Sequence, residues 1–177
     1  FTDPVADTVM GYILMFARGL PWLDKEMRAG RWVKHSGMSL RECTLGVVGM
    51  GDVGQAVVKR ASAFGMTLLG TDIVDVDRPF LDGQGLQMVS LDDLIVESDY
   101  ISLNCTLNPT SFHLIGPDEL LKMKDTCYVI NTCRGPVIQE SALVTALQKG
   151  IIAGAALDVF EHEPLQKDHP LTMFDNV

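Results

Sequence analysis

The stretch "VVGMGDVG", residues 47–54, constrains the fold more than any other part of this chain. The residues leading into it, "CTLGVVG", are apolar and β-branched and read as a buried strand. The residues leaving it, "DVGQAVVKRASAF", carry apolar positions at helical spacing, and Gly65 is placed to end that helix. A strand that runs through G-x-G-x-x-G into a helix is the opening of a βαβ unit built for a dinucleotide. Gly49 permits the tight turn, Gly51 lets the backbone approach a pyrophosphate, and Gly54 lets helix and strand pack closely. The first helical turn, with Asp52 and Val53, directs free N–H groups and a positive dipole end toward the phosphates. Asp52 itself has two readings, a side chain turned to solvent or a first-turn helix acid close to the pyrophosphate.

The rest of the chain repeats the alternation. Strands are expected at "MTLLGTD", "LQMV", "YISLNC", "CYVINT" and "IIAGAALDV". Helices are expected at "LDDLIVE", with Ser90 and Asp93 boxing its start, at "PDELLKM", and at "ESALVTALQKG". A loop with Pro79, Gly83 and Gly85 follows the second strand. Residues 43–160 therefore read as an α/β domain, a Rossmann-type doubly wound parallel sheet with helices on both faces. Residues 1–40 precede it. Asp3 is expected to cap an opening helix with Pro4 in its first position, and "LPWLDKEMRAGRW" reads as a short second helix ending near Gly30. That second stretch, with Trp22 and Trp32, is either a dimerisation arm or an amphipathic helix packed on its own domain. The tail "FEHEPLQKDHPLTMFDNV" is loop-rich, and His169 within it reads as part of a surface turn.

Composition narrows the function classes. At 177 residues and 47% hydrophobic the chain can bury one full core. Its net charge of -9 argues against nucleic acid and anionic membranes as partners, and no apolar run reaches the length of a membrane span. Cys43, Cys105, Cys127 and Cys133 form no C-x-x-C pair, so reduced thiols in a cytoplasmic protein are expected. The four histidines show no metal-ligand spacing, and no metal site is expected. The chain opens without Met and reads as a fragment.

Two further positions carry chemistry. Asp72 ends the second strand, about 20 residues past the glycine loop, where a carboxylate binds the adenosine ribose hydroxyls. An acid there repels a 2′-phosphate, so NAD is favoured over NADP. Arg134 stands at the mouth of the core strand "CYVIN" and is followed at once by Gly135 and Pro136. A guanidinium there must be solvated, paired within the protein, for instance with Asp158, or available to an anionic ligand.

With the loop, the acid, "NTCRG" and "AGAALDVFEHEP" in hand, the chain resembles the NAD-dependent, D-isomer-specific 2-hydroxyacid dehydrogenases over nearly its whole length. The resemblance implies a nucleotide-binding domain, residues 1–177, whose substrate domain lies outside this chain. It implies that Arg134 binds the carboxylate and oxo group of a small 2-oxo or 2-hydroxy acid. Glu163, before Pro164, would pair with an acid/base histidine lying beyond Val177. It implies that Asp158 holds the nicotinamide carboxamide, that Thr132 and Cys133 lie along the nicotinamide ribose and ring, and that Cys105 and Thr106 line the adenine side. Glu161 and His162 are expected to be exposed loop residues. Thr106 replaces a proline common in the family, and Thr8 a histidine. The expected reaction is hydride transfer between NAD(H) and the acid by a homodimer, with the isolated fragment inactive. The competing reading is an NAD(H)-sensing, corepressor-like interaction protein of the same fold.

Overall fold

The computed structural model describes all residues 1–177. A parallel six-stranded sheet organises the chain. In chain order the elements are α1 (Thr2–Arg18), α2 (Leu20–Arg28), β1 (Thr44–Val48), α3 (Asp52–Ala63), β2 (Thr67–Thr71), α4 (Arg78–Gln84), β3 (Leu86–Met88), α5 (Leu91–Glu97), β4 (Tyr100–Leu103), α6 (Pro117–Lys122), β5 (Tyr128–Asn131), α7 (Glu140–Gln148) and β6 (Gly154–Leu157). The strand order is β3-β2-β1-β4-β5-β6. The direction of winding reverses between β1 and β4, and ligands bind outside the carboxyl ends of strands at such a switch point.

Each strand is short and apolar because both of its faces are covered. Leu45, Val47, Leu68, Tyr100 and Ile130 face one core, packed under α1 and α3. Val48, Leu69, Ile101, Leu103 and Val129 face a second core under α5, α6 and α7. The opening helix α1 belongs to the first core through Ala6, Val9, Met10, Ile13 and Ala17, all buried. By contrast α2 buries none of its residues. Trp22, Met27 and Trp32 are exposed along that arm. No helix is long and apolar enough to cross a membrane.

Three local expectations need correction. Asp3 does not cap α1; the helix already includes Thr2, and Asp3 lies in its first turn, where it pairs with Arg60 at 2.9 Å. The stretch with Pro79, Gly83 and Gly85 is not a loop but contains α4. Pro79 sits in the first turn of α4, where its missing N–H costs nothing, and Gly85 is its left-handed cap, so both residues bound the helix rather than break it. The last strand is confined to Gly154–Leu157, shorter than the apolar run suggests.

Candidate functional site

The loop between β1 and α3 is shaped by contacts that only glycine allows. Gly49 has φ +91°, and a Cβ there would lie 2.7 Å from the Cys105 amide nitrogen at the end of β4. A Cβ on Gly54 would lie 2.0 Å from the Gly49 carbonyl oxygen. Gly51 is different: a Cβ there would meet nothing within 4 Å, and the space in front of it is open. It immediately precedes α3 and lines a cavity, so the helix N-terminus begins at the cavity wall. Asp72 braces the loop from below. One carboxylate oxygen accepts the Met50 N–H and the other accepts the Val74 N–H at 3.0 Å. The Gln55 amide donates to the Met50 carbonyl at 3.0 Å. Asp52 is exposed in the first turn of α3.

Two cavities flank this loop at the carboxyl edge of the sheet. One, of about 330 Å³, is lined among others by Val48, Gly51, Asp72, Ile73 and Leu114. The other, of about 590 Å³, is lined by Val5, Val53, Thr132, Cys133 and Arg134 among others. Asn104, Cys105 and Thr106 line both, so the two form a single groove running across the switch point. Two buried oxygens in its wall, Asn104 Oδ1 and Thr132 Oγ1, have no hydrogen-bond partner. Such a group costs about 1–3 kcal/mol unless a ligand or water satisfies it.

Arg134 overhangs the larger cavity. The turn that presents it is tied by Asn131, which is buried at the end of β5. The Asn131 amide donates to the Arg134 carbonyl at 2.9 Å, and its Oδ1 accepts the Cys133 N–H at 3.1 Å. Sequence reading passed over Asn131; the signal was an asparagine where an apolar strand turns, a residue that bonds backbone two and three positions on. The Arg134 guanidinium bonds to the Cys133 carbonyl at 2.6 Å and pairs with no carboxylate. The internal ion pair with Asp158 that would have explained it structurally is not formed. Asp158 is exposed past β6, outside both cavities. It lies near Tyr12, whose phenol is pushed up first by burial and then by that carboxylate.

The loop after β6 rests directly on the arginine turn. A Cβ on Gly135 would lie 1.9 Å from the Phe160 carbonyl. Glu163 accepts the Phe160 N–H at 3.0 Å and is otherwise exposed. Glu161 is not the free loop acid expected. It is partly buried, accepts from His113 Nε2 at 2.9 Å and from the Glu140 N–H at 3.0 Å, and its own N–H donates to the Glu140 carboxylate. His169 closes an exposed turn over Gln166–His169, as expected, and its Nε2 also lies 3.0 Å from Glu140 Oε1. These four side chains clamp the β6 loop to the start of α7, a long-range pairing with no local signature. His162 is exposed, as expected.

Residues 10–177 match the family model described as the D-isomer specific 2-hydroxyacid dehydrogenase, NAD binding domain. The chain belongs to this family. It is 44% identical to the glyoxylate reductase of Thermofilum pendens, over 99% of this chain and 54% of that protein. The chain thus spans about half the length of the curated relatives it matches. Among solved structures it is similar to the D-lactate dehydrogenase of Aquifex aeolicus complexed with NAD and lactic acid, with a TM-score of 0.91, 31% identity, and coverage of 99% of this chain and 58% of that one. It is also similar to a D-isomer specific 2-hydroxyacid dehydrogenase of Xanthobacter autotrophicus in complex with NADPH and MES, with a TM-score of 0.89, 31% identity, and coverage of 97% and 71%. The open space at Gly51 and the two unpartnered oxygens fit a dinucleotide laid along the groove.

Proposed function

We propose that this NAD-binding domain serves an oxidoreductase that moves a hydride between NAD(H) and a small 2-oxo or D-2-hydroxy acid. The observation that carries the reading is Arg134, a guanidinium without a carboxylate partner, at the mouth of the cavity next to the glycine loop. Its planar fork of donors suits a carboxylate and the adjacent oxo oxygen, and its fixed charge polarises the carbon between them. When bound, the nicotinamide supplies or accepts the hydride. Gly49, Gly51, Val53 and Gly54, with the α3 N-terminus, would seat the pyrophosphate, and Asp52 would lie beside it. Asp72 would take the adenosine ribose, Cys105 and Thr106 the shared wall, and Thr132, Cys133 and Asp158 the nicotinamide end. Glu163 would hold an acid/base histidine contributed from outside residues 1–177. Within the chain, His113 and His169 are engaged by Glu161 and Glu140, and His35 lies edge-on to Trp22.

NAD(H) is the preferred cofactor in this reading. Asp72 is the one ionisable carboxylate lining the smaller cavity, and no lysine or arginine lines it to receive a 2′-phosphate. A relative crystallised with NADPH makes this preference a point to test. A second copy of the chain is proposed to cover the exposed Trp22–Trp32 arm, and the four free cysteines fit the cytoplasm. The test is calorimetric titration of the 177-residue chain with NADH and with NADPH, followed by turnover of the full-length protein with 2-oxo acids. Binding of NADH alone and turnover of an oxo acid are expected. Binding of neither cofactor would overturn the reading of the groove, and binding without turnover would favour a sensor.

A further inference from the structure

We propose that Cys105 and Cys133 form a peroxide-reactive dithiol, a site of reversible disulfide formation in the wall of the groove. The strand register brings them together. Leu103 on β4 pairs with Asn131 on β5, and two residues further on each chain come Cys105 and Cys133. The two strand ends thus emerge side by side, about 4.8 Å apart at their last paired residues, within the Cα separation that a disulfide spans, and both cysteines open on the same cavity. Both thiols are partly exposed and both line the larger cavity, whereas Cys43 and Cys127 are buried.

The two sulfurs are chemically unequal. The neighbouring Cys105 thiol holds the Cys133 thiol below its ordinary value, helped by the backbone amides of Arg134 and Cys105 and by the Arg134 charge. The Cys133 sulfur, with burial, pushes Cys105 up. The neutral Cys133 thiol donates to Asn131 Oδ1 at 3.1 Å, a bond it gives up on ionising. A thiolate beside a guanidinium is the nucleophile, and the adjacent protonated thiol is placed to resolve what it forms. The Cys133 thiolate attacks a peroxide oxygen; the O–O bond breaks, leaving a sulfenic acid and releasing hydroxide. The Cys105 sulfur then attacks the Cys133 sulfur; the S–O bond breaks, the S–S bond forms, and water leaves with the Cys105 proton. The two thiols are oxidised by two electrons and the peroxide is reduced. The bridge would join the Asn104–Thr106 and Thr132–Arg134 segments across the groove.

The test uses the 177-residue chain exposed to hydrogen peroxide, digested without reduction and mapped by mass spectrometry. A linked peptide pair carrying Cys105 and Cys133 is expected, about 2 Da lighter than its free components. Dithiothreitol should reverse it, with Cys43 and Cys127 still free. In Cys105→Ser, Cys133 should stop at a sulfenic acid that dimedone traps; in Cys133→Ser, Cys105 should stay unmodified at the same exposure. Oxygen added singly to either cysteine of the wild-type chain without a cross-link would overturn the proposal. A last arm rests on the proposed cofactor site. NADH at ten times its Kd should slow cross-linking about tenfold by occupying the groove. Cross-linking at an unchanged rate would support the dithiol and count against that placement of the cofactor.

Discussion

The two ends of the groove treat their polar groups differently. At the end built from β1, α3 and β2, Asp72 ties down Met50 and Val74, and Gln55 closes on Met50. At the end built from β5 and β6, Arg134 pairs with no acid, Thr132 Oγ1 has no partner, and Asp158 and Glu163 face solvent. Each end is built on a strand–helix–strand stretch of similar length, but the first satisfies its polar groups within itself, whereas the second exposes charge that its own fold does not satisfy. A cradle that always takes the same kind of ligand can be pre-organised locally, whereas under the proposed function the other end would be completed by the substrate.

The strongest way to break this contrast is at Arg134. In the full-length protein Arg134→Gln is expected to lower kcat/KM by roughly a hundredfold or more, the scale of losing a charge-assisted bidentate contact in the transition state. The same change should shift stability by no more than about 0.5 kcal/mol, because the side chain is exposed and its bond is to its neighbour's carbonyl. Steady-state kinetics beside a thermal melt would check both, and a large loss of stability would show that the arginine is structural. The glycine loop gives the next effect. Gly54→Ala must push against the Gly49 carbonyl and should cost about 1–3 kcal/mol or more while abolishing NADH binding. Gly51→Ala meets no atom of the chain, so its melt should be unchanged within about 0.5 kcal/mol, while NADH affinity falls at least about tenfold as the methyl enters the pyrophosphate's space. If the two variants melt alike, the distinction between the two glycines is wrong.

Asp72→Ala is expected to weaken NADH binding by about tenfold and to narrow its advantage over NADPH, the scale of one charged hydrogen bond; parallel calorimetric titrations would measure this. The smallest effect lies away from the groove, in alkaline pH. Burial pushes the Cys127 thiol from about 9 up to about 12. The folded state thus favours the neutral thiol. Its contribution is complete below pH 9 and is lost as the pH rises toward 12. Melting temperature should fall over that window, and Cys127→Ala should flatten the fall even while lowering the plateau through the cavity it leaves.

Much of this architecture was legible because it is governed by neighbours in sequence. Ser90 accepts from the Asp93 N–H to start α5, as the box pattern requires. The G-x-G-x-x-G spacing anticipated a tight turn at Gly49, which the structure makes with φ +91°, and a close approach at Gly54. Where the reading failed, the deciding contact was distant or the local cue had two meanings. In α4, Pro79 and Gly85 mark boundaries, but the same residues also mark loops. Asp3 offered a cap, yet Arg60, on a different helix, claims it. Glu161 and His169 sit in a segment without regular period, and only the packing of that segment against α7 and His113 gave them partners.

By itself, then, the sequence determined the alternation of strands and helices, the glycine turn and the acid that follows it. Hydrophobic period, turn chemistry and helix caps act over a few residues and can be read from the chain in order. Tertiary structure alone decided that Arg134 is left without an acid, that Asp158 stays exposed near Tyr12, that Glu161 and Glu140 bind the β6 loop to α7, and that Cys105 comes near Cys133. Those outcomes depend on which strand ends become neighbours. In a doubly wound sheet the order β1-β4-β5-β6 brings together residues that the chain itself keeps tens of positions apart.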